Sequence, residues 1–406
     1  MRLPPNETSL LAPNGFKAVY PQLKTSIEVD SVIVGGGIAG LTAAYLLKQA
    51  GQKVAVIERK TIGNGTTGHT TGKVTSQHNL MYKDLQDRLG VKIARLYGHA
   101  NQQAVEEIDK LIKKQKIDCG WERADSYVYT VKKERVKEFR QEAETARSLG
   151  LPASFQITSP LPFKIAAAVK FSNQAHFSAQ KYIEALAKSI NGNGSFIYEK
   201  TRAVTFLDGV PCIVKTLRGK ITASNIIVAT NVPTSPLLAR LSYCIMEYPH
   251  TSYLVAGRPK IKLDGMYISP AEGYYSLLPV GKGDEQILLV GGENHIPGFG
   301  RPTNRQQKLA DFGNKHFGIS KIDYRWGARD YMAYDGIPLI GKLYPNSKNL
   351  YVATAFKKWG LSHSMVAGMI LRDLITGQRN EWADIYNPHR TSVVASIPHA
   401  IAKAFH

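Results

Sequence analysis

Cysteine is scarce in this sequence: Cys119, Cys212 and Cys244 are the only three in 406 residues, and they stand far apart. An odd, sparse count argues against a secreted disulfide framework. No CxxC pair occurs, which argues against a zinc ribbon or a cysteine-ligated iron–sulfur cluster within these residues. No metal site is expected. Long apolar runs are lacking too. The opening MRLPPNETSLLAPNG has no apolar core of signal-peptide length. Residues 31–47 carry no charge, but at 17 residues with four glycines they are short for a membrane span. A chain without a transmembrane segment, cytoplasmic in location, is the expectation. Acidic residues are few, 32 against 52 Lys and Arg, a net charge of +20. That balance favours anionic partners. Yet the longest basic run, residues 110–116 (KLIKKQK), is short and reads as helix, and aromatics are not interleaved with basic residues as in nucleic-acid modules.

What is present is ordinary globular composition, 43% hydrophobic and 21% charged. At ~150 residues per domain the length suggests two or three domains. The most informative segment begins at Asp30. SVIV is an apolar β-branched run, GGGIAG a turn, LTAAYLLKQAG a helix ending at Gly51, and KVAVIE a second strand. Gly35, Gly37 and Gly40 thus form GxGxxG between a strand and a helix. The first permits a tight turn, the second admits a pyrophosphate to the backbone, and the third packs helix on strand. The helix end then faces the phosphates. Glu58 ends the next strand, eighteen residues past Gly40, where a carboxylate accepts both ribose hydroxyls of a dinucleotide. Residues 63–75, GNGTTGHTTGKVT, follow as a run of small and hydroxyl side chains. Such a run lets a flavin lie against the backbone, which favours FAD over NAD.

Further along, Leu85, Leu89, Ile93, Leu96, Ala100, Ala104, Ile108 and Leu111 recur at helical spacing and predict one long amphipathic region. Short strands are predicted over 119–130 and 248–292. LYVATA predicts a strand, and residues 361–376 a helix closed by Gly377.

These pieces resemble the FAD-dependent amine and amino-acid oxidoreductases, the family of D-amino-acid oxidase, glycine oxidase and sarcosine oxidase. The resemblance rests on VIVGGGIAG with Glu58, GTTGHTTGKVT, QAHFSAQKYIEALA (174–187), IIVATNVP (226–233), DGIPLIG (335–341) and LYVATAFKKWGL (350–361). It is nearest to a bacterial subgroup that often carries a C-terminal Rieske domain, and no such domain is expected within these 406 residues. The resemblance implies an α/β fold: a Rossmann-type FAD-binding domain of discontinuous segments (1–118, 166–240 and 325–406) and an antiparallel-sheet α+β substrate domain (119–165 and 241–324).

It also implies site residues. Gly35, Gly37, Ile38, Ala39, Gly40, Glu58 and Arg59 would hold the ADP half of FAD. Thr66, Thr67, His69 and Thr70 would lie near the pyrophosphate and flavin, and Val204, in the strand after the QAHFSAQ helix, near the adenine. Ala229 and Thr230 would close the ribose side. Gly336, Ile337, Lys358, Trp359, Gly360, Leu361 and Ser362 would form the second flavin edge, with a helix N-terminus aimed at the flavin's pyrimidine end. The alternative for Lys358 and Trp359 is a cation–aromatic surface pair. In one branch of the family a His after a Gly-Thr-Thr-aromatic run bonds the flavin covalently. Here Gly68 replaces the aromatic residue before His69, and non-covalent FAD is the preferred reading.

The implied reaction is hydride transfer to the flavin from a small-molecule amine or N-substituted amino acid that enters as the neutral amine, with oxygen or a redox partner protein as electron acceptor. His250, Tyr253, Tyr274, Tyr275, Glu293, His295, Arg329 and Tyr331 are the substrate candidates. Among them His295, Tyr275 and Arg329, with Lys358, form the expected catalytic set. The tyrosines suit strand packing as well as binding, and Arg329 suits pairing with Asp330 or Asp335. Family members that oxidise amino acids usually place an Arg in the strand at 274–279; YYSLLP has none. Two other readings remain: an RNA-associated flavoprotein oxidising a modified tRNA base, which the charge suits, and a flavin electron carrier with a separate Rieske partner.

Overall fold

The β-branched run before GGGIAG forms the strand Ile27–Val34, at the heart of a sheet that the computed structural model builds from distant segments. The structure describes residues 3–10, 19–233, 237–270, 274–298 and 304–398. Ile27–Val34 lies parallel to Lys220–Val228 on one side and Val54–Ile57 on the other, with Val32 facing Ile226 and Ile33 facing Val56. Leu350–Thr354 and Phe196–Tyr198 extend the parallel order outward, and Leu339–Lys342 closes one edge antiparallel. Cys212–Thr216 and Ala203–Leu207 add a hairpin against the start of Lys220–Val228. Val32, Ile33, Ile226 and Ile227 are wholly buried, as a parallel sheet covered on both faces requires. The helices Ile38–Gln49 and Gly360–Ile375 pack on each other over this sheet.

A second, nine-stranded sheet runs in the order Tyr324–Ala333, Glu247–Gly257, Ile287–His295, Ser276–Val280, Met266–Ile268, Glu122–Thr130, Ala167–His176, Lys73–Val74, with Ala153–Gln156 also on Ala167–His176. It is antiparallel except where Met266–Ile268 meets Glu122–Thr130. Three strands from segments expected in the dinucleotide domain belong here: Lys73–Val74, Ala167–His176 and most of Tyr324–Ala333. The two sheets exchange chain more often than the expected ranges allow.

Two local expectations are corrected. The apolar stripe from Leu85 to Leu111 is two helices, Tyr82–Leu89 and Val91–Gln115, separated at Gly90 with φ +90°. Residues 119–130 contain one nine-residue strand, Glu122–Thr130. The basic run at 110–116 ends the second helix, where Lys110 pairs with Glu107 and Lys113 with Asp109. The start of Tyr82–Leu89 has no cap from its own segment. Its amides at Met81, Tyr82 and Lys83 donate to the buried carboxylate of Glu142, 2.7–2.8 Å away on the helix Val136–Ser148. Burial raises the Glu142 pKa, while the three amides oppose the rise. Asp335 is fully buried and bound by Arg390 at 2.7 and 2.8 Å. Burial would raise this carboxyl, but the Arg390 bonds and charge hold it below the usual range. No described helix is long and apolar enough to cross a membrane, and the described residues hold no cluster of metal-ligating side chains.

Candidate functional site

The Gly-rich turn is built by close backbone approach. Gly35 has φ +119°, and a Cβ there would stand 2.4 Å from the Ala229 carbonyl oxygen. One on Gly40 would stand 1.9 Å from the Gly35 oxygen, which is why the helix can lie against the strand. Glu58 is locked at the end of Val54–Ile57: the Gly36 amide donates to one carboxylate oxygen (3.0 Å) and the Lys60 amide to the other (2.8 Å). The hydroxyl run folds back over this turn. Thr67 Oγ1 accepts from the Ile38 amide (3.1 Å), and the Thr66 hydroxyl donates to the Arg329 carbonyl (2.8 Å). The His69 carbonyl accepts from the Trp326 indole (3.1 Å), while its Nδ1 lies 3.0 Å from the Gly65 oxygen.

Between the two sheets lies one cavity of about 1150 Å³. That is at the upper limit of a drug-sized site, ~300–1,000 Å³. Its walls include Gly35, Gly37, Ile38, Ala39, Glu58, Arg59, Thr66, Thr67, His69, Thr70, Val204, Ala229, Thr230, Gly336, Lys358, Trp359, Gly360 and Leu361. The helices Ile38–Gln49 and Gly360–Ile375 both open on it without a side-chain cap from their own first residue. Their leading amides and positive ends suit an anionic ligand. Three implied contacts stay behind the wall. Gly40 is helix packing, Ile337 is buried with its amide on Asp335 (3.1 Å), and the Ser362 hydroxyl lies 3.1 Å from His78 Nε2. Val204 is on Ala203–Leu207, with Phe196–Tyr198 intervening after the helix Ala179–Ile190.

The opposite wall is the antiparallel sheet. His250 and Tyr253 come from Glu247–Gly257, His295 from the end of Ile287–His295, and half-exposed Tyr274 precedes Ser276–Val280. Tyr253 stacks on His295 with centroids 5.8 Å apart. Burial first, then Lys358, then His295 push His250 down to about 3. Burial and the Arg305, Arg329 and Lys358 charges lower His295. Nδ1 of each ring is buried with no hydrogen-bond partner among the described residues. Lys358 sits in a turn at φ +67°, its amide donating to Asp330 Oδ2 (2.6 Å), and burial pushes its ammonium down to about 7. Trp359 is no surface residue: it stacks on buried His78 at 4.8 Å.

Tyr275 and Arg329 do not reach this cavity. Tyr275 stacks on Phe312 at 3.9 Å, because strand alternation turns it to the face opposite Ser276. Arg329 is exposed and pairs with neither Asp330 nor Asp335. Glu293 is tied to Lys308 (3.4 Å), and Tyr331 lies off the cavity wall. Residues not anticipated as site members line it instead: Lys73, Asn231, Tyr248, Ser276 and Asp330. The one available signal was a lysine inside a run of small and hydroxyl residues.

A family model described as DAO, FAD dependent oxidoreductase, matches residues 30–374. A protein of Bacillus subtilis (strain 168) named putative Rieske 2Fe-2S iron-sulfur protein YhfW is 35% identical over 374 residues, covering 91% of this chain and 73% of that protein. Gamma-glutamylputrescine oxidoreductase of Escherichia coli (strain K12) is 24% identical over 401 residues, 94% of this chain and 89% of its own. The solved glycine oxidase of Geobacillus kaustophilus superposes with a TM-score of 0.75 at 20% identity, covering 89% of this chain and 99% of that one. That last likeness speaks to the fold.

Proposed function

The chain belongs to the DAO family of FAD-dependent oxidoreductases, and from that premise we propose that it oxidises the carbon–nitrogen bond of a small amine or N-substituted amino acid. FAD, when bound, supplies the two-electron acceptor for that oxidation. The observation that carries the reading is the shared cavity on which the Gly35–Glu58 turn and the antiparallel sheet both open. In this reading the turn at Gly35 and Gly37, with the first amides of Ile38–Gln49, holds the pyrophosphate, and Glu58 accepts the ribose hydroxyls. Arg59, Val204, Ala229 and Thr230 flank the ADP half. Thr66, Thr67, His69 and Thr70 cover the loop side, and Gly336, Lys358, Trp359, Gly360 and Leu361 the far edge. The amine lies between that edge and His250, Tyr253 and His295, whose neutral imidazoles leave buried nitrogens for a polar substrate group. Asp330 orients the turn that presents Lys358.

The test is the visible spectrum of the purified protein, followed by anaerobic titration with glycine, sarcosine, L-proline, putrescine and gamma-glutamylputrescine. Bleaching by one class of amine is expected; a colourless protein that FAD cannot reconstitute refutes the reading. The 35% identical relative, by its printed name, favours an iron–sulfur protein over oxygen as acceptor. Faster reoxidation by an acceptor dye than by oxygen is the corresponding outcome.

A further inference from the structure

We propose that Lys73 accepts the proton that a substrate ammonium must release before its carbon–nitrogen bond can be oxidised. The inference rests on the amine reading above for its substrate and on the cavity geometry for its residue.

Lys73 opens the strand Lys73–Val74 at the edge of the antiparallel sheet, opposite His176. Gly72 fixes its entry: φ is +96°, and a Cβ there would lie 2.3 Å from the Phe177 carbonyl oxygen. From this point the side chain runs to the cavity wall. Its Nζ donates to the Tyr267 carbonyl (3.0 Å) and to Ser276 Oγ (2.7 Å). Both acceptors are neutral. An ammonium has three donors, and these oxygens satisfy two of them. An uncharged amine has two donors and one lone pair, so the same two bonds satisfy it completely and leave the lone pair in the remaining tetrahedral direction. The hydrogen-bonding set is therefore complete for the base form and incomplete for the acid form.

The electrostatic surroundings agree. No carboxylate pairs with Lys73 among the described residues. The groups facing it from the packed strands are His176 on Ala167–His176, itself lowered by burial; the Tyr267 phenol, which donates to the Asp264 carbonyl; and the Ser276 hydroxyl. Glu122, across from His176, is engaged by Lys282 at 3.0 Å. Burial alone pushes Lys73 down to about 7. Lys358 lines the same cavity but has Asp330 beside it, whose charge favours its cationic form. Burial outweighs that charge and pushes Lys358 down to about 7 as well, so the two lysines differ in their partners: Lys358 has a carboxylate beside it and Lys73 only neutral acceptors.

The step balances simply. A substrate N–H bond breaks, its electron pair stays on the substrate nitrogen, and the proton bonds to the Lys73 lone pair. Substrate becomes the neutral amine and Lys73 the ammonium; nothing is oxidised or reduced. The proton then leaves through the cavity mouth before the next turnover.

The experiment uses the FAD-loaded enzyme, with K73M and K73R as variants. Anaerobic flavin bleaching by sarcosine and by putrescine is followed from acid to alkaline pH. The wild-type acid limb should fall near neutrality. In K73M it should move up toward the amine's own pKa, with a loss on the order of 10²-fold below it and recovery above it, where the free amine is already neutral. K73R should fail like K73M, because guanidinium cannot accept a proton. Restoration by K73R, or an unmoved limb in K73M, overturns the proposal: the first makes Lys73 a fixed cation for a substrate anion, the second a bystander. A second measurement needs no turnover. In protein with 13Cε-labelled lysine, the resonance missing from K73M should titrate near neutrality; titration at the ordinary lysine value overturns the proposal whatever the substrate. If it titrates near neutrality and no amine bleaches the flavin, the amine reading falls while the base form of Lys73 stands supported.

Discussion

Glu58→Ala should weaken FAD binding and leave FMN binding largely intact, because only FAD carries the adenosine ribose. The structure supplies the magnitude. Each carboxylate oxygen of Glu58 already accepts one backbone amide, from Gly36 at 3.0 Å and Lys60 at 2.8 Å. These bonds aim the group and leave further lone pairs toward the cavity. A hydrogen bond to a charged group contributes ~1.5–3 kcal/mol. At ~1.4 kcal/mol per tenfold in Kd, its loss is roughly 10–150-fold in FAD affinity. The Lys60 amide lies on the exposed cavity wall and turns to water, but Gly36 is buried behind it and its amide is left unpaired, so folding should lose ~1–3 kcal/mol. Glu58→Gln keeps an oxygen acceptor but no charge and should fall between. The assay is titration of apo-protein with FAD and with FMN, read by quenching of flavin fluorescence, beside urea unfolding of the same proteins. Unchanged FAD affinity, or equal weakening of FMN, refutes the assignment of Glu58 to the ribose.

Four further outcomes are expected. Gly72→Ala should destabilise well beyond Gly51→Ala: both have positive φ, worth ~1–2 kcal/mol for a side chain, but only the first meets a carbonyl, at 2.3 Å, while Gly51 faces open space; denaturant midpoints compare them. Arg390→Ala strands the buried Asp335 carboxylate and should cost ~3–5 kcal/mol. Because Asp335 titrates below its ordinary value, its stabilisation is complete above that value and fades as pH falls through the folded one, so the variant should lose that acid dependence in thermal melts. Lys73 and Lys358 shift the opposite way: the unfolded chain binds more protons between about 7 and the ordinary lysine value, so stability should rise with pH across that window, and Lys358→Met should flatten the slope. Acid precipitation should leave the yellow colour in the supernatant, and colour held in the pellet would support a covalent bond instead.

The strand–turn–helix–strand unit was legible because its parts are local: Gly35, Gly37, Gly40 and Glu58 all belong to one continuous stretch of chain. The far wall was not. Ala167–His176 pairs with Glu122–Thr130 across some forty residues of intervening chain, and no periodicity in either strand names its partner. For the same reason Tyr275 and Arg329 were drawn into the expected catalytic set. Residue type marked them as candidates, but only the pairing of Ser276–Val280 and Tyr324–Ala333 decides which face each presents. Lys73 was hidden the other way, inside a loop read for its small side chains. The single helix expected from Leu85 to Leu111 failed at Gly90, where the apolar spacing continues but the backbone turns.

The Glu142 cap bears on how the molecule comes apart. Tyr82–Leu89 packs with Val91–Gln115, while Val136–Ser148 packs on Ala153–Gln156 and Ala167–His176 in the antiparallel sheet. One carboxylate holding three amides at the start of Tyr82–Leu89 therefore joins a helix pair to that sheet. If Val136–Ser148 lifts away, three amide protons and a buried charge lose their partners together. Local fraying at that point is costly, and the opening that releases those protons to solvent exchange is the one that loosens the neighbouring sheet strands as well. The helix pair and the antiparallel sheet are thereby bound into a shared cooperative unit.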